Sequence, residues 1–303
     1  MLPLTNKKGK GAESPARNES FVHIPVRDNF YQSSSFFPMP FAMITTINEQ
    51  GTTSIGPHSL VFPFDISESH SMMLVSRASS NTATNLRRTG KCALNFIEYN
   101  RDWMKHVVDL GWPGQTPEEK MEGKPFVLGK SPTPEFRDDD DFPLIMEDAF
   151  QVYECVMDGK FEYHPHREAA APLVENFFAL RVESVLLKES FKDKLDNRRE
   201  FPDMPLSYGF RGGEEFWFAT HNQPFHIQVP RGKGPDHNRI YYAANKVDPD
   251  IRFEEEACKL LTGIPQVFLD VVLKGMVDAA REQGVTMIDA DFVKAVEAQR
   301  KTA

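Results

Sequence analysis

Apolar positions along this chain fall into short runs broken by Gly, Pro, Asn and Asp. From about Phe36 to Thr220 their spacing is that of antiparallel strands and hairpins. Ala42–Ile47, with the β-branched pair Thr45-Thr46, reads as a strand that meets the turn Asn48-Glu49-Gln50-Gly51. A second extended stretch follows through Ser59, and Met72–Ser76 and Cys92–Ile97 are further strand-like runs. Between those two, Thr82–Thr89 predicts about two turns of helix. Asn81 or Ser80 suits its N-cap, and Gly90 sits where a left-handed residue ends it. Two stretches interrupt the strand pattern. Tyr99–Met121 holds the helix-compatible segments Asp102–Leu110 and Pro117–Met121, and Lys130–Asp141 ends in the aspartate run Asp138–Asp141.

The period changes near the C-terminus. Pro230–Pro249 is loop-like apart from the short run Ile240–Ala243, which places a domain boundary there. Beyond it, Ala257, Leu260 and Leu261, then Phe268, Val271, Val272, Met276 and Ala279, recur at helical spacing. They predict three helices over Phe253–Thr262, Pro265–Gln283 and Asp289–Gln299, with Gly284 ending the second. The expected organisation is an N-terminal arm at 1–35, a mainly β domain with helical insertions at 36–230, and a helical module at 250–303.

Composition narrows the partners. Among 303 residues, 35 Lys and Arg face 44 Asp and Glu, a net charge of -9 that weighs against binding nucleic acid or an anionic membrane surface. Cys92, Cys155 and Cys258 form no Cys-x-x-Cys pair, so buried thiols in a reducing compartment are expected. The first twenty residues lack the apolar core of a signal peptide, and no apolar run is long enough to cross a bilayer. A cytoplasmic, soluble protein is the expectation. No metal site is expected: the aspartate run lacks the spaced ligands and glycine of a calcium loop. His164-Pro165-His166, His221 and His226 read as surface-loop residues. Nucleotide-binding Gly-x-Gly-x-x-Gly, Gly-x-Ser-x-Gly, His-Glu-x-x-His and Walker patterns are missing, which weakens hydrolase, phosphotransfer and Rossmann readings.

One loop carries candidate chemistry. Arg77-Ala78-Ser79-Ser80-Asn81 ends a strand and opens a helix, whose unpaired N–H groups and positive dipole end favour an anion such as phosphate. Arg77 supplies charge, while Ser79, Ser80 and Thr82 supply hydroxyls. The same residues also suit an ordinary capped helix after a polar turn.

The ordered set of pieces resembles the flavin reductase-like proteins with an FMN-binding split barrel. The matching residues are Thr45-Thr46, Gly51, Gly56-Pro57-His58-Ser59, Thr82–Leu86 and Gly90–Asn95, followed by Glu119–Gly123, Pro143–Ile145, Tyr153–Cys155, Phe178–Val182 and Pro205–Tyr208. The resemblance spans roughly Phe36–Thr220. It implies an antiparallel split β-barrel that binds FMN, with Arg77, Ser79, Ser80 and Thr82 on the phosphate beside Asn81. Main-chain groups of His58, Ser59 and Leu60 would run along the isoalloxazine edge. It further implies a homodimer and an oxidoreductase passing electrons from NAD(P)H or a protein donor through FMN to a flavin or another acceptor. A non-enzymatic electron carrier, docking a redox protein through its C-terminal helices, is the alternative. Many family members carry Gly-Asp-His-Thr before the strand matching Phe177–Val182. Here Glu175 stands where that His falls, and a carboxylate there repels an anionic pyrophosphate, which weighs against NAD(P)H as donor. The C-terminal segment weakly resembles the small helical module of light-independent protochlorophyllide reductase subunits, through Ile264-Pro265, a long middle helix ending in Ala279–Gly284, and a capped third helix.

Overall fold

The computed structural model describes residues 20–27, 29–66, 68–112, 115–159, 175–211, 215–221, 223–225, 227 and 237–302. The chain divides into two compact units, one ending at Pro224 and one beginning at Phe225.

In the first unit seven strands form one sheet: β1 (Ala42–Ile47), β2 (Thr53–His58), β3 (Val61–Pro63), β4 (Ser71–Arg77), β5 (Lys91–Phe96), β6 (Gln151–Met157) and β7 (Glu175–Leu187). Their order is β2-β1-β5-β6-β7-β4-β3, and every pairing is antiparallel. The two edge strands, β2 and β3, are consecutive in the chain, separated only by Ser59 and Leu60. Laid flat, six inter-strand steps of about 4.8 Å would hold those edges roughly 29 Å apart. The link from His58 to Val61 reaches only about 10 Å. The sheet must therefore curl until its edges meet, and it does so as a split antiparallel barrel.

Alternation along the strands then builds two cores. One face gathers Ala42, Ile44, Leu74, Leu94 and Leu180 beneath Ala83 and Leu86 of helix α1 (Asn81–Thr89). The other gathers Met43, Ile55, Ala93 and Val152 beneath Met104, Val107 and Leu110 of helix α2 (Arg101–Gly111). Burial of each such Leu contributes about 1.5–3 kcal/mol. The Asn100 side chain caps α2, and a Thr116–Glu119 capping box starts the short helix α3 (Pro117–Met121). A smaller sheet orders Met39–Pro40, β8 (Pro205–Arg211) and β9 (Glu215–Thr220), so Ser207 pairs with Phe218 across the hairpin read from the sequence. The glycines at the tip of that hairpin lie outside the described residues.

Several details go beyond the sequence reading. Cys92 and Cys155, far apart in the chain, are direct cross-strand neighbours on β5 and β6, both fully buried as free thiols. The aspartate run is only partly a solvated loop: Lys91 Nζ lies 2.6 Å from Asp139, and Arg88 lies 3.7 Å from Asp141. His221 accepts the Met204 N–H at 3.2 Å, while His164, His166 and His226 lie outside the described residues. Among the described residues, no cluster of three His, Cys, Asp or Glu is arranged to hold a metal ion, and no helix is long and apolar enough to cross a membrane.

The second unit is built by helices α4 (His237–Ala244), α5 (Glu255–Leu260), α6 (Gln266–Glu282) and α7 (Ala290–Thr302), with a parallel pairing of Arg252–Phe253 and Met287–Ile288. Three of these were expected; α4 lies in the stretch read as loop-like. It supplies Ile240 and Ala244 to a core that also buries Phe253, Leu261, Leu273 and Met276. The unit thus has more core of its own than three helices would give. Of the expected apolar stripe, Leu261 and Met276 turn inward, whereas Leu260, Phe268 and Val271 remain exposed.

Candidate functional site

The eight candidate residues come from two chain segments that the barrel brings side by side. Val61 pairs with Leu74, and the Val75 N–H donates to the Leu60 carbonyl at 2.9 Å. The link at Ser59-Leu60 therefore runs along the end of β4, next to the loop Arg77–Ser80. The place where the sheet's edges meet is also where the candidate anion loop sits.

Ser80 is the N-cap of α1. Its extended backbone (φ -70, ψ 150) leaves the side chain free to accept the Ala83 N–H at 3.0 Å, while its carbonyl accepts the Thr84 N–H. The Ser76 hydroxyl lies 2.8 Å from the Ser80 hydroxyl and steadies the cap from β4. The first-turn amides of Asn81 and Thr82 are not used by this cap and stand at the positive end of the helix. Gly90, at φ 68, closes the helix in the left-handed region, and the Arg88 guanidinium ties its last turn to the carbonyls of Ile47 and Asn48.

Thr82 is buried, and its hydroxyl lies 3.0 Å from His58 Nε2. Gly56 makes this approach possible: a Cβ there would lie 3.2 Å from Thr82 Oγ1 and 3.5 Å from His58 Nε2. Burial, and then the charge of Lys120, push the His58 pKa down to about 4, so the ring is neutral at neutral pH. Lys120 is itself buried. Its ammonium donates to the Leu110 carbonyl at 2.8 Å, in the last turn of α2, and burial lowers its pKa.

Arg77, the candidate cation, is exposed at the end of β4, and Ser79 and Asn81 are exposed beside it. In register it faces Glu175, the first residue of β7, so the two side chains share one face of the sheet. The phenol of Tyr31 stands in the field of both. Burial and Glu175 raise its pKa, and Arg77 pulls it back. Tyr31 belongs to a short helix, Phe30–Ser33, that packs on β8. On the opposite face of the same strand pair, Asn176 registers with Ser76, and its Nδ2 is buried with no partner. The exposed Arg77 and the two first-turn helix amides form a donor set that fits a phosphate ester, while the unpaired Asn176 amide stays buried beside Ser76 on the other face.

Sequence reasoning found the loop and its cap but missed Tyr31 and Asn176. Tyr31 lies in a segment whose periodicity carries no signal, and Asn176 is an ordinary polar residue in a strand. A separate cavity of about 400 Å³ lies at the other end of β1 and β2, near Ile47, Thr53, Lys130 and Phe142; none of the eight candidates lines it. Next to it, the fully buried Glu154 carboxylate accepts from Ser131, and from Thr133 at 2.5 Å.

No protein-family model matches the sequence, and no curated protein matches it. Solved structures do. The 2-nitrobenzoate 2-nitroreductase of Pseudomonas fluorescens aligns at 16% identity and TM-score 0.52, over 69% of this chain and 96% of its own. Nitrilotriacetate monooxygenase component B of Bacillus cereus aligns at 14% identity and TM-score 0.50, over 69% of this chain and 100% of its own. A flavin reductase with a split barrel domain from Shewanella frigidimarina aligns at 14% identity and TM-score 0.47, over 64% and 87%. At these identities the likeness is one of fold.

Proposed function

We propose that the first unit binds FMN at the split of the barrel and acts as a flavin-dependent oxidoreductase. The observation that carries this is the position of a capped helix N-terminus and of Arg77 next to the link that joins the sheet's two edges. The fold shared with a nitroreductase and a monooxygenase component supports a redox role, and fold alone would not define one.

Bound FMN would supply the electron acceptor and donor. The chain's own residues bind and orient it. Arg77 and the amides of Asn81 and Thr82 hold the phosphate, with Ser79 and Ser80 beside them. The main chain at His58, Ser59 and Leu60 would run along the ring edge. Because His58 is neutral and bonded to Thr82, it adds no charge to that edge. The electron donor is NAD(P)H or a redox protein, and Glu175 beside Arg77 favours the protein. A homodimer completes this reading. A pure electron carrier, docking its partner through the C-terminal helices, is the second reading, favoured by the exposed Leu260, Phe268 and Val271.

The purified protein is expected to be yellow, or to take up added FMN. Arg77→Ala should weaken that binding by about 1.5–3 kcal/mol, the value of a charged hydrogen bond. A colourless protein that binds no added FMN would exclude the proposal. Anaerobic mixing with NADH or NADPH separates the two readings: rapid bleaching of bound flavin marks the reductase, and its absence with both donors marks the carrier.

A further inference from the structure

We infer that Glu175 is a built-in competitor for Arg77, and that it makes the flavin site discriminate ligands by the charge of their phosphate. This rests on the flavin reading above and concerns a residue to which that reading gives no ligand contact. Arg77 and Glu175 are direct partners in the β4–β7 ladder, a position at which side chains on the same face interact across the strands. Both are exposed, so both can rearrange when a ligand arrives. Tyr31 stands near both charges: burial raises its pKa, Glu175 raises it further, and Arg77 lowers it. Arg77 therefore has an anion of the protein's own chain beside it, while the Arg87 guanidinium reaches the same loop at the Ala78 carbonyl, 2.8 Å away.

A phosphate entering this loop must share Arg77 with the Glu175 carboxylate and is repelled by it. A neutral flavin that lacks the phosphate meets no such penalty. The site is thus tuned to bind FMN less tightly than its donor set would allow, and to penalise a longer, more highly charged pyrophosphate further. Exchange of flavin, rather than permanent retention, follows from that tuning.

The test is equilibrium titration of the flavin-free full chain with FMN and with riboflavin, followed by quenching of flavin fluorescence. Glu175→Gln should tighten FMN binding by about tenfold, the scale of one uncompensated charge near a partly exposed site, and leave riboflavin unchanged. Glu175→Asp, which keeps the charge, should behave as the native protein. In an Arg77→Gln background the gain from Glu175→Gln should shrink, because the competition acts through that cation. Equal tightening of both ligands would overturn the inference in favour of a packing effect on the ring. FMN binding unchanged by Glu175→Gln would overturn it while leaving the flavin site intact. Failure of the native chain and every variant to bind either flavin would instead remove the flavin reading itself, and this inference with it.

Discussion

Acid should destabilise the barrel through His58, and the size of the effect follows from its surroundings. The ring is half-buried, bonded to Thr82 and close to the buried Lys120, and its pKa falls from 6.5 to about 4. In the unfolded chain the same imidazole titrates near its ordinary value. Between those two pKa values the unfolded state binds the proton and the folded state does not, so stability falls as pH drops through this window. It is fully present above about pH 6.5. From about pH 7 to about pH 5 the loss amounts to about 2 kcal/mol for this one group. His58→Gln keeps a side chain that can bond Thr82 but removes the titration. All three tryptophans, Trp103, Trp112 and Trp217, precede Pro224, so tryptophan fluorescence in urea reports the barrel unit. The native chain should lose about 2 kcal/mol more than His58→Gln over that pH interval. Parallel pH profiles for the two proteins would refute the assignment of a strongly depressed pKa to His58.

Ser80→Ala removes the acceptor for the Ala83 N–H and the partner of Ser76, and should cost about 1 kcal/mol in the same urea assay. It should also weaken FMN binding, because the cap aims the first-turn amides; unchanged affinity would separate capping from binding. The three cysteines are buried, and burial raises the pKa of both Cys155 and Cys258, the latter to about 11. A thiol reagent should therefore label none of them quickly in the native protein and all three in denaturant; rapid native labelling would contradict their placement.

What the sequence disclosed was local. The cap at Ser80 and the stop at Gly90 were legible because backbone geometry restricts which residues serve there. Four of the seven strands were legible from their local pattern, and the loop chemistry from its side chains; β3, at Val61–Pro63, was not read, and β6 and β7 entered only through the family resemblance. Contacts across the sheet were not. The meeting of Arg77 with Glu175, and of Cys92 with Cys155, is set by register between distant strands, which no local pattern encodes. The His58–Thr82 pair depends on the helix closing over Gly56. Helix α4 was obscured by the Gly- and Pro-rich run just before it, although Ile240 and Ala244 already carried the helical spacing of its buried face.

The link at Ser59-Leu60 also bears on how the two edges of this sheet resist the addition of a strand from another chain. A sheet that curls without closing its hydrogen-bond ladder keeps two bare edges, each a template on which another chain could add a strand. Here each edge carries a proline, Pro57 in β2 and Pro63 in β3, and a proline offers no amide hydrogen to an incoming strand. The second edge is also only three residues long, although Phe62 beside Pro63 is exposed. Cutting the chain at the link would let the edges swing apart, but neither would become a good seed for fibrils. Replacing both prolines with valine would turn the same opening into an aggregation hazard.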